Sequence, residues 1–393
     1  MASDMSGRGK TSLPLAGPET PNAFRPPACE ACVTARKVEG NVGSPVVSVV
    51  MAAFNARKTI RESCASVLRQ SYSSLELIVV DDGSTDDTSD LILSLAASDS
   101  RVRLIRQQNL GVAAARNCAI AAATGEFIAP LDADDLWDPT KIERQVRRIQ
   151  ECGPDTGLVY CWWAWIDDKG VVLDRSPRWQ IEGRVLDRLI EMNFTGNASV
   201  PLYRRSFVEQ SGGYVGRFRE ENSQGCEDWD LVIRIAEHHK LAVVPAVLVG
   251  YRRSADGMSA DRETMWRSQA MVMAALESRE PAVSRAVLQR STGQFALYLA
   301  GVAFWSGSYL QAFRWAFRVR PFSMVVSVAP HIALLLARRL LGIRASPVSL
   351  VDAEGRFDQA GLPEPLIPYD RICERRWRSQ PRGAKSSDTR SEG

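Results

Sequence analysis

The chain has 393 residues, 45% of them hydrophobic and 24% charged, a balance that supports a large buried core and about two domains. A formal net charge of +3, with no block of like charge, argues against a nucleic-acid binder working through a basic stripe. Eight cysteines without a disulfide-framework spacing fit a reducing cytosol.

Residues 1–44 are rich in Gly, Pro, Ser and Ala, lack the apolar run of a secretory signal and read as a disordered arm. Cys29 and Cys32 form a C-x-x-C pair there, without the second pair that zinc needs or the helical setting of a redox motif. Order begins with a β-branched run at 46–51, a strand buried on both faces. A helix over 56–70 follows, with Ile60, Cys64, Val67 and Leu68 on one face. A second strand at 75–80 ends in Asp81-Asp82-Gly83-Ser84, a turn signal with good helix caps behind it. A helix at 88–97, a strand at 102–106, an alanine-rich helix at 112–123 and a strand at 126–131 continue the alternation. Asp138 and Pro139 then open a helix striped by Ile142, Val146 and Ile149. The alternation predicts an α/β domain with a mostly parallel sheet, helices on both faces, and ligands beyond the carboxyl ends of the strands.

The second half reads differently. An aromatic strand at 158–166 carries Trp162, Trp163 and Trp165; tryptophans on both faces favour core over a sugar-stacking platform. Mixed segments lead to Glu227-Asp228-Trp229-Asp230, a helix at 231–237 with Asp228 as its N-cap, and a strand at 241–251. Beyond Asp261 the pattern is helical to about residue 345, and 346–393 is a largely irregular polar tail. Residues 322–337 are apolar but short of a spanning helix, are interrupted by Pro330 and His331 and are followed by Arg338 and Arg339. The stretch 322–341 reads as a buried helix or as an interfacial one at a membrane surface.

Three acidic clusters sit where such a sheet places its ligand. Asp132-x-Asp134 follows a strand, and in extended backbone both carboxylates point the same way, onto one cation. Carboxylate ligation without nearby His or Cys suits Mg²⁺ or Mn²⁺ with substrate phosphates completing the shell, although a solvated acidic turn has the same composition. Asp81 to Asp86 lacks the ligand pattern of a calcium loop, and no phosphate-binding glycine loop follows the first strand.

The succession VSVVMAAFN at 47–55, VVDDGSTD at 79–86, NLGVAAARN at 109–117, LDADDLW at 131–137 and Glu227-Asp228 resembles glycosyltransferase family two over about residues 45–260. The resemblance implies the GT-A nucleotide-diphospho-sugar transferase fold at 45–261, with a mostly parallel Rossmann-like sheet, followed by a helical C-terminal region at 262–345. It also implies inverting, metal-dependent transfer from a UDP-sugar to a hydroxyl of a glycan or lipid-linked acceptor, in polysaccharide or glycoconjugate synthesis. By that resemblance Ala52 and Phe54 line the nucleobase pocket, Asp82 accepts from the base and Arg116 closes the nucleotide side. Asp132 lies near ribose and metal, and Asp134 ligates Mn²⁺ or Mg²⁺. Asp228 is the catalytic base, with Glu227, Trp229 and Asp230 on the acceptor side. Tyr251-Arg252 with Ser259 matches a stretch that holds the diphosphate. The expected location is cytoplasmic, with possible peripheral attachment to the inner membrane face. The alternative is a silent sugar-binding scaffold of the same fold, against which intact Asp82, Asp134 and Asp228 speak.

Overall fold

A computed structural model describes residues 44–253, 257–279 and 282–319, with Leu350 and Phe357. The arm at 1–43 with Cys29 and Cys32, the run at 322–341, nearly all of the tail, and the side chains of Ser259 and Trp305 lie outside the described residues.

Strand β1 (Val47–Ala53) and strand β2 (Leu75–Asp81) pair in parallel, from Val47 against Leu75 to Ala53 against Asp81. Both are buried almost throughout, as strands covered on two faces must be. Strand β3 (Val102–Arg106) adds to β2, and strand β4 (Phe127–Pro130) adds to the other side of β1, both parallel. The chain thus builds outward to β3 and then returns across β1. That reversal opens a crevice at the carboxyl ends of β1 and β4. The opposite end is pinned by buried Glu76, which accepts from Ser48 Oγ (2.6 Å), Thr124 N (2.8 Å), Thr124 Oγ1 (2.7 Å) and Arg103 Nη1 (3.2 Å).

Helices α1 (Ile60–Leu68), α2 (Thr88–Ser98) and α3 (Val112–Ala121) make the crossovers. Helix α1 begins four residues later than its apolar spacing predicts. The N–H groups of Ala56 and Arg57 donate to Thr88 Oγ1 (2.8 Å) and Asp86 (3.3 Å) instead of starting a helix. After the short strand β5 (Leu136–Trp137), helix α4 (Lys141–Glu151) buries Ile142, Val146 and Ile149 as expected. Asp138 is not its cap; its carboxylate accepts from Thr140 N (2.8 Å) and Thr140 Oγ1 (2.6 Å) in the preceding turn.

Strand β6 (Thr156–Ile166) runs parallel to β9 (Lys240–Arg252). Its other edge pairs antiparallel with β7 (Val172–Arg175) and β8 (Leu202–Arg204), and β8 joins it to β4. The nine strands form one sheet in the order β3-β2-β1-β4-β8-β6-β9-β5, with β7 on β6. Helices α5 (Leu186–Glu191), α6 (Arg205–Gln210) and α7 (Arg217–Glu220) are too short to show a helical period in the sequence. Helix α8 (Glu227–Ala236) starts four residues before its predicted position, so Asp228 lies inside the first turn and the cap is Cys226. Helices α9 (Arg262–Glu277), α10 (Arg285–Trp305) and α11 (Tyr309–Phe317) form the expected helical region, and α10 packs on α5, α9 and α11. No described helix is long and apolar enough to cross a membrane.

Candidate active site

Two loops at the carboxyl edge of the sheet are laced together. Asn55, in a left-handed conformation (φ 50°), accepts from Thr85 N (2.8 Å) and donates through its own N–H to Ser84 Oγ (2.9 Å). This lacing holds Phe54 at the rim with 51% of its surface exposed, while Ala52, in β1, is half-buried. Asp82 is buried and already accepts three hydrogen bonds, from Gln107 Nε2 (2.7 Å), Leu110 N (2.8 Å) and Gly111 N (2.8 Å). Gly111 stands at φ 90°, and a Cβ there would meet the Arg219 side chain at 2.8 Å. Asp82 therefore fixes the loop into α3 and keeps little capacity for a ligand.

The acidic cluster after β4 is a turn, not the extended backbone expected: Asp135 N–H donates to Asp132 O at 3.1 Å. Burial and then the charge on Asp132 raise the Asp134 carboxyl to about 6. Two carboxylates that repel each other in a half-buried turn suit a hard divalent cation. Among the described residues no group of three or more His, Cys, Asp or Glu side chains is placed to hold a metal. Asp132 and Asp134 would thus supply two ligands, and the rest of the shell would come from phosphate oxygens and water.

Arg252 does not face the crevice as expected. Its buried guanidinium donates to Asp134 O (2.7 Å), Asp167 O (3.1 Å), Asp168 O (2.8 Å) and Glu62 Oε2 (2.7 Å). Its backbone N–H donates to Asp135 Oδ1 (2.8 Å). Arg252 clamps the acidic turn in place rather than reaching a diphosphate. Asp135, which the sequence reading passed over, is the second half of that clamp: buried, it accepts from Asn197 Nδ2 (2.6 Å) and Ser199 Oγ (2.5 Å). Burial, then the charges of Asp134 and Asp132, hold its carboxyl well above the usual range.

Arg116 joins the two halves of the site. From α3 it reaches Asp132 Oδ1 (2.6 Å) with one guanidinium nitrogen and Glu227 Oε1 (3.0 Å) with the other, and it lies 5.2 Å from the centre of the Tyr214 ring. Burial opposes its charge, but Asp132, Tyr214 and Glu227 outweigh burial and hold the guanidinium firmly protonated. Glu227 is buried, and its other oxygen accepts from Gly225 N (2.8 Å), so it supports the site from behind. Asp228 faces a cavity that Trp229 also lines. Burial, then the Glu227 charge, raise Asp228 to about 7 despite Arg116. Trp229 anchors α8 through Nε1 to Leu189 O (2.9 Å). Asp230 does not face the acceptor side as expected: buried, it forms structural ion pairs with Arg217 (2.6 Å) and Arg234 (2.8 Å).

The sequence model of Glycosyl transferase family 2 matches residues 48–210, the span that carries the crevice loops, Asp82, Arg116 and the acidic turn. The chain carries a glycosyl transferase family 2 domain. It is 34% identical over 171 residues to EpsH of Bacillus subtilis (strain 168), covering 42% of this chain and 49% of that one. It is 45% identical over 106 residues to the Escherichia coli UDP-Glc:alpha-D-GlcNAc-diphosphoundecaprenol beta-1,3-glucosyltransferase WfaP, covering 27% and 41% of the two chains. The chain thus spans about half the length, or less, of these curated relatives. Its fold matches the Pyrobaculum calidifontis mannosyltransferase PcManGT, solved with GDP-Man and Mn2+, at a TM-score of 0.50 and 19% identity over 78% of this chain and 83% of that one. These findings establish the GT-A fold. Asp228 and Arg252 fall beyond the matched family span.

Proposed function

We propose that this family 2 domain transfers one sugar, with inversion, from a nucleotide-diphospho-sugar to an acceptor hydroxyl of a glycan or glycolipid. A UDP-sugar is the proposed donor, and cell-surface polysaccharide or glycoconjugate synthesis the setting. The observation that carries the reading is the Arg116 network. It ties the acidic turn, where a donor diphosphate would sit, to the helix that presents Asp228. The nucleobase falls to the rim at Ala52 and Phe54, whose exposed ring offers a stacking face.

In this mechanism Asp228 takes the proton of the acceptor hydroxyl as its oxygen attacks the anomeric carbon. The bond from that carbon to the phosphate oxygen breaks on the opposite face, and its electron pair leaves with the nucleoside diphosphate. Base and leaving group on opposite faces give inversion with no covalent intermediate. A divalent cation held by Asp132 and Asp134 would, when bound, offset the charge on the departing diphosphate. Arg116 and Arg252 hold the two ends in register, one through ion pairs and one through the backbone of the acidic turn. The proposed setting is cytoplasmic with peripheral attachment to a membrane surface; the outward Leu310, Phe313 and Phe317 of α11, each at least 60% exposed, support an apolar contact there.

A base that titrates near 7 acts only when ionised, so transfer is lost as pH falls through that value. At one pH unit below it the rate should drop about tenfold, with a plateau above it. Nucleoside diphosphate release measured against pH at limiting donor and acceptor, where kcat/KM reports the groups of the free enzyme, tests this. A profile flat from pH 5 to 8 would remove Asp228 from the role of base.

A further inference from the structure

Strand β6 presents different residues to its two sides. Trp163 and Trp165 line the cavity beside Asp228, while Trp162, Ala164 and Ile166 alternate onto the opposite face. There Ala164 and Ile166, with Leu136 of β5 and Val247 of β9, form a second apolar cluster apart from the main core. Two residues from far along the chain complete it. Leu350 and Phe357, both buried, pack into this cluster although α9, α10 and α11 intervene in sequence. Each is also held by its backbone: Leu350 N–H donates to Gly170 O (3.1 Å), and Phe357 N–H donates to Asp138 Oδ2 (3.1 Å). The sheet is shaped for the leucine. Gly250, paired with Leu136 on one side and Ala164 on the other, leaves it room; a Cβ there would stand 2.6 Å from Leu350 Cδ2.

What these two residues cover is the back of the acidic turn. Strand β5 follows Asp135 directly and pairs with β9 through only Leu136 and Trp137. So short a strand secures few ladder bonds, and its place rests on burying Leu136 in the cluster. The 167–170 turn is the second element held. Its carbonyls at Asp167 and Asp168 accept from Arg252, whose Nε donates to Asp134 O, and its carbonyl at Gly170 accepts from Leu350. Asp138, just past β5, is the third: one carboxylate oxygen holds Phe357 N–H while the other holds Thr140 ahead of α4. Leu350 and Phe357 thus act at one remove from Asp134, through every support of its turn that lies on this face.

We propose that Leu350 and Phe357 are positioning residues for the donor site. They strap β5 and the 167–170 turn to the sheet, and so hold Asp132 and Asp134 where a divalent cation and a nucleoside diphosphate bind together. The choice of ligand rests on the transferase reading above; the strap itself rests on the contacts of the two residues. Residues that only filled the core would stabilise the sheet as a whole, whereas a strap acts on one corner of it. Strands β1 and β2 lie beyond β4, β8 and β6 in the strand order, far enough away to report the difference.

The test compares Leu350→Ala and Phe357→Ala with wild type, all as the full chain, by hydrogen exchange. Amides in 132–138 and 167–171 should exchange about tenfold faster in the variants, and those of β1 and β2 at the wild-type rate. In a parallel arm, calorimetry titrates each protein with UDP and with GDP in the presence of Mn²⁺. The nucleotide that binds wild type should bind the alanine variants about tenfold more weakly. Leu350→Met and Phe357→Leu, which keep much of the apolar volume, should stay within about twofold of wild type. Should an alanine variant fail to fold, Leu350→Val, a smaller deletion, carries the same comparisons. Unchanged exchange in 132–138, or exchange that rises as much in β1 and β2, would reduce both residues to core filling and overturn the strap. If a nucleotide binds wild type and both alanine variants equally well, only the positioning role fails. If no nucleotide binds wild type, the transferase reading itself fails, and the positioning role falls with it.

Discussion

Asp228→Asn should lower kcat about 10²- to 10⁴-fold while leaving nucleotide binding in place, the range expected when a positioned base is lost. The substitution is nearly isosteric in the first turn of α8 and removes only the ability to take a proton. It also carries a stability signature of the opposite sign. The folded protein raises the Asp228 carboxyl from 3.8 to about 7, through burial and the neighbouring Glu227, so its ionised form is disfavoured in the folded state. Stability from this group is present below pH 4 and is lost as pH rises through about 7. Asn escapes that penalty. Above pH 7 the variant should therefore unfold at a temperature equal to or higher than wild type, and below pH 4 at the same temperature. Steady-state kinetics with thermal melts at the two pH values check both parts. An Asp228→Asn enzyme with full kcat would move the base elsewhere.

Arg116→Met should destabilise the fold by about 3–5 kcal/mol, because it strands buried charge. Among the described residues Glu227 would keep only the Gly225 N–H as a partner, and Asp132 would lose its one close cation. Arg116→Lys should rescue little, since a single ammonium cannot bridge two carboxylates as the guanidinium fork does. The cation also works against the raised titration of Asp228. The enzyme that remains folded should consequently show a pH profile displaced upward. Urea unfolding gives the first quantity and the rate against pH gives the second. A stable variant with an unchanged profile would reduce Arg116 to a nucleotide contact.

Much of this site was legible in the sequence because its chemistry sits at strand ends. β-Branched runs located β1 and β2, and the strand–helix alternation placed Asp82 and Asp132 at the carboxyl edge. What the sequence withheld was direction. An arginine reads the same whether it greets a phosphate or, like Arg252, is clamped on backbone carbonyls. The Asp230–Arg234 spacing of four is a sequence signal for an ion pair on a helix, and it places Asp230 in that pair rather than on the acceptor side. Asp135 could have been suspected as the third carboxylate of its turn, but its burial depends on Ser199 and Arg252, distant in the chain. Alternation along β6 separates Trp162 from Trp163 and Trp165. Which face lines the cavity is decided only by where α8, α9 and α10 close it.

The most direct test of the central claim is calorimetric binding of UDP, GDP and dTDP, with and without Mn²⁺, to wild type and to Asp134→Ala. One diphosphate should bind wild type only with the metal, and its affinity should fall about a hundredfold or more in the variant, a loss of about 2.7 kcal/mol. If no diphosphate binds wild type with or without Mn²⁺, or if Asp134→Ala binds as well as wild type, the acidic turn is not a donor site and the account fails.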